Sequence, residues 1–369
     1  MAKQLPLADF HRSNGAVFTE RDGWLLPIHF GNADAEYNAV RSTAGLIDRC
    51  HRGLLQFTGP DRLSFLQGML SNDLRDIKPG EGQYATVLTQ QGKVLGDIRV
   101  LQSDNSFYLD LWEAIKDKIV DHLNRYLVAD EVEIADRSEG YGILSIQGPR
   151  SKSLLQKLVG QAELPGRPAQ HAMVDIDDAK ICVVHDSHTG EVGFDLIIPR
   201  PALQNVAQRA TALGKELSAA WVGEDAQEIL RMEAGIPRYG VDFNEDNLLL
   251  EVGLDNAVSF TKGCYLGQEV VERIRSRGHV NRKLCGLVLQ NQKSARAGDI
   301  ISVGEKGVGN ITSSVYSPKL KAPIALGYLH KDFWRPGTSV SVIHGAESIA
   351  ATVTQIPFIP DKKEPLPPS

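Results

Sequence analysis

Lys262-Gly-Cys-Tyr-Leu-Gly-Gln-Glu269 runs directly into Val270-Val-Glu-Arg-Ile-Arg-Ser-Arg277 and stops at Gly278. The pattern predicts a glycine-hinged loop that opens a helix. A thiol just before a helix N-terminus, with Lys262 nearby, has its thiolate favoured by the dipole and the positive charge, which makes Cys264 a candidate reactive thiol. The competing reading makes Cys264 a small apolar residue packed under a tight turn. Spacing alone does not choose between them.

Upstream of this loop the chain alternates strands and helices. Leu54-Leu-Gln-Phe-Thr58 reads as a strand stopped by Gly59-Pro60, and Asp61 to Leu70 as a helix with Leu63, Leu66 and Leu70 on one face. Thr86-Val-Leu-Thr and Lys93-Val-Leu-Gly-Asp-Ile-Arg-Val100 flank the turn residues Gln90-Gln-Gly92, a hairpin, and Ser106 to Trp112 extends the sheet. Ile115, Ile119, Leu123 and Tyr126 recur at helical spacing, and Tyr141 to Gln147 returns as a strand. A second unit follows: strands Ile181 to Val184 and Phe194 to Ile198, then a helix presenting Leu203, Val206, Ala210 and Leu213. A helix from Glu224 to Ala234 is acidic in its first turn and closed by Gly235. From residue 284 onward, short strands separated by Gly, Pro and charged turns predict a small barrel. The class is α+β, not a doubly wound sheet.

With 369 residues, 42% hydrophobic and 23% charged, the composition is that of an ordinary globular protein of two or three domains. No stretch approaches the roughly 18 uncharged apolar residues of a membrane span, and Met1 to Phe10 lacks the apolar core of a secretory signal, so a cytoplasmic location without membrane partners is expected. Cys50, Cys182, Cys264 and Cys285 show no C-x-x-C spacing, which argues against a disulfide framework or a self-contained metal or cluster site. A net charge of -6 argues against nonspecific nucleic-acid binding, which needs a surplus of Lys and Arg.

Lys262-Gly-Cys-Tyr-Leu-Gly-Gln-Glu269 is a complete match to the K-G-C-[FY]-x-G-Q-E signature of the YgfZ-type folate-binding proteins, and the resemblance spans most of the chain. Leu7 to Ala16, Gly23-Trp-Leu-Leu-Pro27 and Glu36 to Asp48 resemble the opening segment of the glycine-cleavage aminomethyltransferases. Phe65 to Asp73 and Pro79-Gly-Glu-Gly-Gln-Tyr84 follow the same superfamily, and Gly309 to Leu320 with Ile324 to Tyr328 are similar to its C-terminal barrel. The resemblance implies an aminomethyltransferase-like folate-binding fold, with the folate in a central opening. It divides the chain into a split α+β folate-binding region over 1–280 (roughly 1–50 with 148–280, and 51–147) and a barrel over 281–356, while the low-complexity, proline-rich composition of residues 357–369 predicts a disordered tail.

The site residues carry over by motif. Thr189-Gly-Glu-Val-Gly-Phe-Asp195 is similar to the T-G-E-x-G-[FY]-E element whose last carboxylate holds the pterin, which implies that role for Asp195. One carboxylate accepts hydrogen bonds from the pterin amino group and ring N–H in parallel. The alternative leaves Asp195 a solvated residue on a strand edge, consistent with its alternation with Phe194 and Leu196. The resemblance also brings His188, Tyr84, Arg231 and Glu233 to the folate site, Arg231 as a partner of Glu233 or of the ligand's carboxylates. Against this, Arg231 and Glu233 are two residues apart, do not share a helix face, and read equally well as surface contacts.

In the aminomethyltransferases the turn matching Gln91 to Asp97 ends in two consecutive aspartates; here it ends Gly96-Asp97. Asp97 is therefore a catalytic remnant, a folate contact or a hairpin residue. Arg273, Arg275 and Arg277 read as a docking stripe for an acidic client or as a solvated face.

Three functions follow as expectations. The first is a tetrahydrofolate-binding accessory protein that supports iron–sulfur cluster assembly or repair in client enzymes, with Cys264 in the functional loop; one cysteine cannot hold a cluster that takes four ligands. The second is a folate-dependent aminomethyltransferase or methyltransferase dependent on Asp97. The third is a ligand-free interaction protein that retains the fold.

Overall fold

The structure is a computed structural model that describes residues 2–290 and 292–360. Its elements run, in chain order, β1 (Lys3–Gln4), α1 (Ala8–Ser13), β2 (Val17–Arg21), β3 (Trp24–His29), α2 (Ala33–Ser42), β4 (Gly45–Asp48), β5 (Arg52–Thr58), α3 (Arg62–Met69), β6 (Gly82–Leu88), β7 (Val94–Gln102), β8 (Phe107–Trp112) and α4 (Glu113–Asn124). There follow β9 (Glu133–Asp136), β10 (Tyr141–Gln147), α5 (Ser151–Val159), β11 (His171–Ile176), β12 (Ala179–His185), β13 (Gly193–Pro199), α6 (Leu203–Glu216), β14 (Ala220–Trp221), α7 (Glu224–Glu233), α8 (Leu249–Val252) and α9 (Gln268–Arg277). The last strands are β15 (Arg282–Leu289), β16 (Ile300–Val303), β17 (Lys306–Ser317), β18 (Ala322–His330), β19 (Ser339–His344) and β20 (Glu347–Thr354). Among the described residues, no helix is long and apolar enough to cross a membrane.

The chain forms two compact units, residues 1–187, 192–227 and 255–270 in one and 188–191, 228–254 and 271–369 in the other. The first unit contains a six-stranded sheet in the order β11-β12-β13-β10-β4-β14 and a five-stranded sheet in the order β6-β7-β8-β5-β9. Helices α5 and α6 lay Leu154, Leu155, Leu158, Leu203, Val206, Ala207 and Ala210 against one face of the six-stranded sheet. Its other face meets the five-stranded sheet, where Ile143, Val184 and Ile197 pack against Leu54 and Leu101. Helix α4 covers the far side of the five-stranded sheet with Ile115, Ile119 and Leu123, as their spacing predicts.

The helix expected over residues 61–70 buries Phe65, Leu66 and Met69, whereas Leu63 is exposed and Leu70 caps the end. The apolar stripe is thus turned by about one residue from the expected face, because α3 begins at Arg62 and the neighbouring β-structure takes Leu70.

The second unit holds a closed barrel, β15-β18-β17-β16-β19-β20, filled by Leu287, Ile301, Ile311, Leu329, Val342 and Val353. Residues 357–360, read from sequence as the start of the tail, are instead part of this unit. Phe358 is buried, and the Ile359 amide donates to the Glu233 carbonyl at 3.1 Å. Residues 361–369 lie outside the described residues.

Candidate functional site

Strand register places the charged residues of the first unit. In the five-stranded sheet, Tyr84 pairs with Arg99, Arg99 with Asp110, and Asp110 with Leu54, so the four side chains form one row on one face. Asp97 and Arg52 sit two residues from members of that row and share its face. In the six-stranded sheet, Val184, Asp195, Ser145 and Ile47 form the corresponding row. Leu54 in the first row and Val184 in the second belong to the apolar cluster between the sheets, so the two rows face each other.

Arg99 is the hub of this layer. Its Nη2 donates to Asp110 Oδ2 at 2.5 Å, and its Nη1 donates to Asp186 Oδ2 at 2.5 Å and Asp195 Oδ2 at 2.7 Å. Arg52 Nε donates to the other oxygen of Asp110 and stacks 5.4 Å from the Trp112 ring. Burial would lower the pKa of Arg99, but the carboxylates of Asp110, Asp195 and Asp186 outweigh it and raise the value. Burial likewise favours a neutral Asp110, and Arg52 and Arg99 overcome it to hold that carboxyl below its ordinary value.

Asp97 differs from its neighbours. The Tyr84 hydroxyl donates to its Oδ2 at 3.0 Å, while its buried Oδ1 takes no hydrogen bond from any other described residue. Burial pushes the Asp97 pKa up, and the charge of Arg52 and the Tyr84 hydroxyl offset this only in part. Burial, with Asp97 beside it, raises Tyr84 well above the ordinary phenol value. Gly96 faces the opposite side of the sheet: a Cβ there would lie 2.4 Å from Ile115 Cδ1 of α4. A second aspartate at this position would point into the helix layer and away from the charged row, so its loss takes no carboxylate from the site.

Asp195 is 0% exposed and sits on a central strand of its sheet, which removes the reading of a solvated edge residue. Its Oδ2 is engaged by Arg99, so a pterin clasped by both oxygens would share that atom with the guanidinium.

His188, Arg231 and Glu233 belong to the second unit. Arg231 does not pair with Glu233. Its Nε donates to Glu228 Oε2 at 2.7 Å, Nη1 to Asp242 Oδ2 at 2.7 Å and the Ile236 carbonyl at 3.0 Å, and Nη2 to Ser313 Oγ at 3.1 Å. These bonds tie the segment after α7 to strand β17. Glu233, fully buried, accepts from Ser317 Oγ. Both residues brace their own unit, as helix spacing requires, since positions 228 and 231 share a face and positions 231 and 233 do not.

The motif loop is pinned from below. Lys262, 5% exposed, donates through Nζ to the carbonyls of Gln67 at 2.7 Å, Leu70 at 2.8 Å and Asn72 at 2.8 Å. Two of these carbonyls lie in the last turn and cap of α3, where a helix leaves acceptors unpaired. Burial lowers the Lys262 pKa to about 8. Gly267 has φ +84°, and a Cβ on it would meet the Thr89 carbonyl at 2.5 Å, so only glycine lets the loop close on the β6–β7 hairpin.

Cys264 is exposed at the top of this loop, which removes the reading of a buried small residue. The Lys262 charge, expected beside the thiol, is not directed at it. All three ammonium donors go to main-chain carbonyls instead. Tyr265, beside it, is buried with its ring 5.1 Å from Lys262 Nζ. Gly263 and Glu269 are exposed and Gln268 half-buried. Arg273 and Arg275 are exposed on α9; the side chain of Arg277 lies outside the described residues.

Sequence reasoning passed over Arg49, Arg52, Arg99, Asp110 and Asp186. The available signal was alternation: Asp97-Ile-Arg99 places charges at every second position of an otherwise apolar strand, the pattern of a polar layer between packed faces.

Two sheets packed face to face around a charged layer, joined in sequence to a closed barrel, define a bipartite α+β class. Residues 7–262 match the GCVT N-terminal domain, and residues 282–359 match the glycine cleavage T-protein C-terminal barrel domain. The chain belongs to the glycine cleavage T-protein family. It is 31% identical over 363 residues to the aminomethyltransferase of Rubrobacter xylanophilus, covering 98% of this chain and 95% of that protein. It is 30% identical over 368 residues to the aminomethyltransferase of Bacillus velezensis, covering 99% and 100%. The crystal structure of glycine cleavage system aminomethyltransferase T from Bartonella henselae superposes with a TM-score of 0.90 at 25% identity, covering 98% of this chain and 99% of that one.

Proposed function

We propose that this protein binds a reduced folate, tetrahydrofolate or a close form of it, and that the charged layer of the first unit recognises the pterin. What carries the reading is the buried Asp97 Oδ1, for which no other described residue supplies a donor. An unpaired buried carboxylate oxygen costs stability and persists most readily where a ligand satisfies it. A pterin brings N–H donors of the kind that Asp97 lacks, together with one carbonyl acceptor, and the same layer holds the unpartnered donors Arg49 Nε and Arg99 Nε. The residues present fit the group.

Bound tetrahydrofolate supplies the nitrogen that gives or takes a one-carbon unit. Asp97 accepts a hydrogen bond at Oδ1 and, with its pKa raised by burial, is placed to take up or release a proton there. Tyr84 fixes the carboxylate through Oδ2. Arg99 holds Asp195 and Asp110 in place, keeping Asp195 beside the pterin as the family pattern implies.

Within the family we assign the protein to iron–sulfur maintenance rather than glycine cleavage. The support is the complete K-G-C-Y-L-G-Q-E loop with Cys264 at its exposed tip, suited to thiol exchange or to contact with a client enzyme. The test is rescue of iron–sulfur enzyme activity in cells lacking the protein. Wild type should restore it and Cys264→Ser should not, with equal amounts of folded protein.

A second reading, a folate-dependent aminomethyltransferase, has specific support: the relatives' names, the retained Asp97, and a Gly96 that faces away from the site. Single-turnover transfer of a one-carbon unit from an aminomethyl-bearing carrier to tetrahydrofolate, abolished by Asp97→Asn, would establish it in place of the first.

A further inference from the structure

Among the described residues, Arg49 is the cation of the charged layer that no hydrogen bond or ion pair from its side chain holds. Its main-chain N–H donates to the Ile143 carbonyl at 2.9 Å, which continues the β4–β10 ladder one residue past β4. Ile47, Ser145 and Asp195 lie in register across β4, β10 and β13, so Arg49, two residues beyond Ile47, leaves the sheet on the face that carries Asp195. It stands within electrostatic range of Asp195, Asp110, Arg52 and Arg99. Even so, its guanidinium forms no ion pair or hydrogen bond among the described residues, and its Nε is buried without a partner. Arg99 is committed to three carboxylates and Arg52 to Asp110.

Arg49 is half-buried, and its Nε, shut off from solvent and held off from nearby carboxylates, is a donor left at a cost unless something accepts from it. Resting on the folate reading, we propose that Arg49 is a specificity-determining residue that donates to the ring carbonyl oxygen of the pterin. The chemistry of the layer leaves it that part. One edge of a pterin presents an amino donor, an N–H donor and a carbonyl acceptor side by side. Asp195, and Asp97 when ionised, only accept, so they serve the two donors. The carbonyl needs a donor; Arg99 Nε is also unpartnered but its guanidinium is held by three carboxylates, and among the described residues of this layer Arg49 is the guanidinium without one. Arg49 therefore selects 4-oxo folates and rejects 4-amino analogues, whose amino group would face the guanidinium donor to donor.

The experiment is calorimetric titration of full-length wild type, Arg49→Met and Arg49→Lys with tetrahydrofolate and with its 4-amino counterpart, tetrahydroaminopterin. The affinity ratio within each variant is the readout, so a general loss of stability does not imitate the effect. Wild type should favour the 4-oxo ligand by about tenfold to a hundredfold, the range of a charge-assisted hydrogen bond. The ratio should fall by about tenfold in Arg49→Met, the remainder coming from the ring N–H that the 4-amino ring lacks, and lie between the two in Arg49→Lys. A wild-type ratio carried unchanged into both variants overturns the role of Arg49 while leaving folate binding intact. Failure of wild type to bind either ligand overturns the folate reading itself.

Discussion

Asp97 takes the Tyr84 hydroxyl on one oxygen at 3.0 Å, and its other oxygen, buried, takes no hydrogen bond from any other described residue. Its raised pKa means that the fold disfavours the ionised carboxylate. A carboxyl whose folded pKa lies above its unfolded value contributes stability that is present below the unfolded pKa and lost as pH rises through the folded one. Asp97→Asn should therefore raise the melting temperature of the ligand-free protein at neutral pH, by a few degrees, on the order of 1 kcal/mol. The gain should shrink as pH falls toward the ordinary value of 3.8. Melting curves of both proteins across pH 4 to 8 (about the range where a carboxyl so shifted titrates) check the sign; a gain that grows on acidification contradicts it.

Arg99 joins three carboxylates from both sheets, and no other side chain in the layer does so. Arg99→Met would strand Asp110, Asp186 and Asp195 as neighbouring anions. Breaking a buried ion network from one side costs about 3–5 kcal/mol, which urea unfolding at pH 7 would register as a lower midpoint. A change below about 1 kcal/mol would mean that water or Arg52 replaces the lost guanidinium.

Lys262 anchors the motif loop through three carbonyls, so Lys262→Met should bare buried acceptors at a cost of about 1–3 kcal/mol each where water cannot reach. The loss should be local before it is global. Amide exchange over residues 259–267 should accelerate more than exchange in the barrel, and uniform acceleration would show that the loop is not the part being held.

Among the four cysteines, only Cys264 is exposed, while burial raises Cys50 well above the thiol range, Cys182 to about 12 and Cys285 to about 11. Titration of the native protein with a thiol-specific disulfide reagent at pH 8 should consume a single fast equivalent, absent in Cys264→Ser. A fast phase that survives this substitution would assign reactivity to another thiol.

Gly96→Asp restores the paired aspartates of the aminomethyltransferases in sequence but places the new side chain against Ile115. The expected result is several kcal/mol of destabilisation from overpacking and a buried charge, with no gain in one-carbon transfer. Improved transfer would show that position 96 reaches the site after all.

Alternation and helical spacing make β5, β7, β10, α4, α6 and most of the barrel strands legible in the sequence, because each buries one face, whereas α2, α5, β11 and the last barrel strand β20 are not among the elements expected. The charged layer was only half legible. Tyr84, Asp97 and Asp195 stood out by resemblance, but Arg99 and Asp110 are neighbours only because β7 and β8 pair in one register, which no local pattern encodes. Arg49 was overlooked for a related reason: it occupies the crossover between β4 and β5, a stretch with no periodicity to read. For Lys262 and Cys264 the proximity was right and the electrostatic link between them was not, since the orphan carbonyls of α3 belong to residues almost two hundred positions earlier.

The most direct test of the account is calorimetric titration of tetrahydrofolate into wild type and into the Asp195→Ala and Asp97→Asn variants. The account predicts saturable binding to wild type at micromolar or tighter affinity, about 8 kcal/mol or more, that drops by at least about tenfold in each variant. A wild-type protein that binds no reduced folate, or variants that bind as tightly as wild type, would contradict the claim that the charged layer is a pterin site.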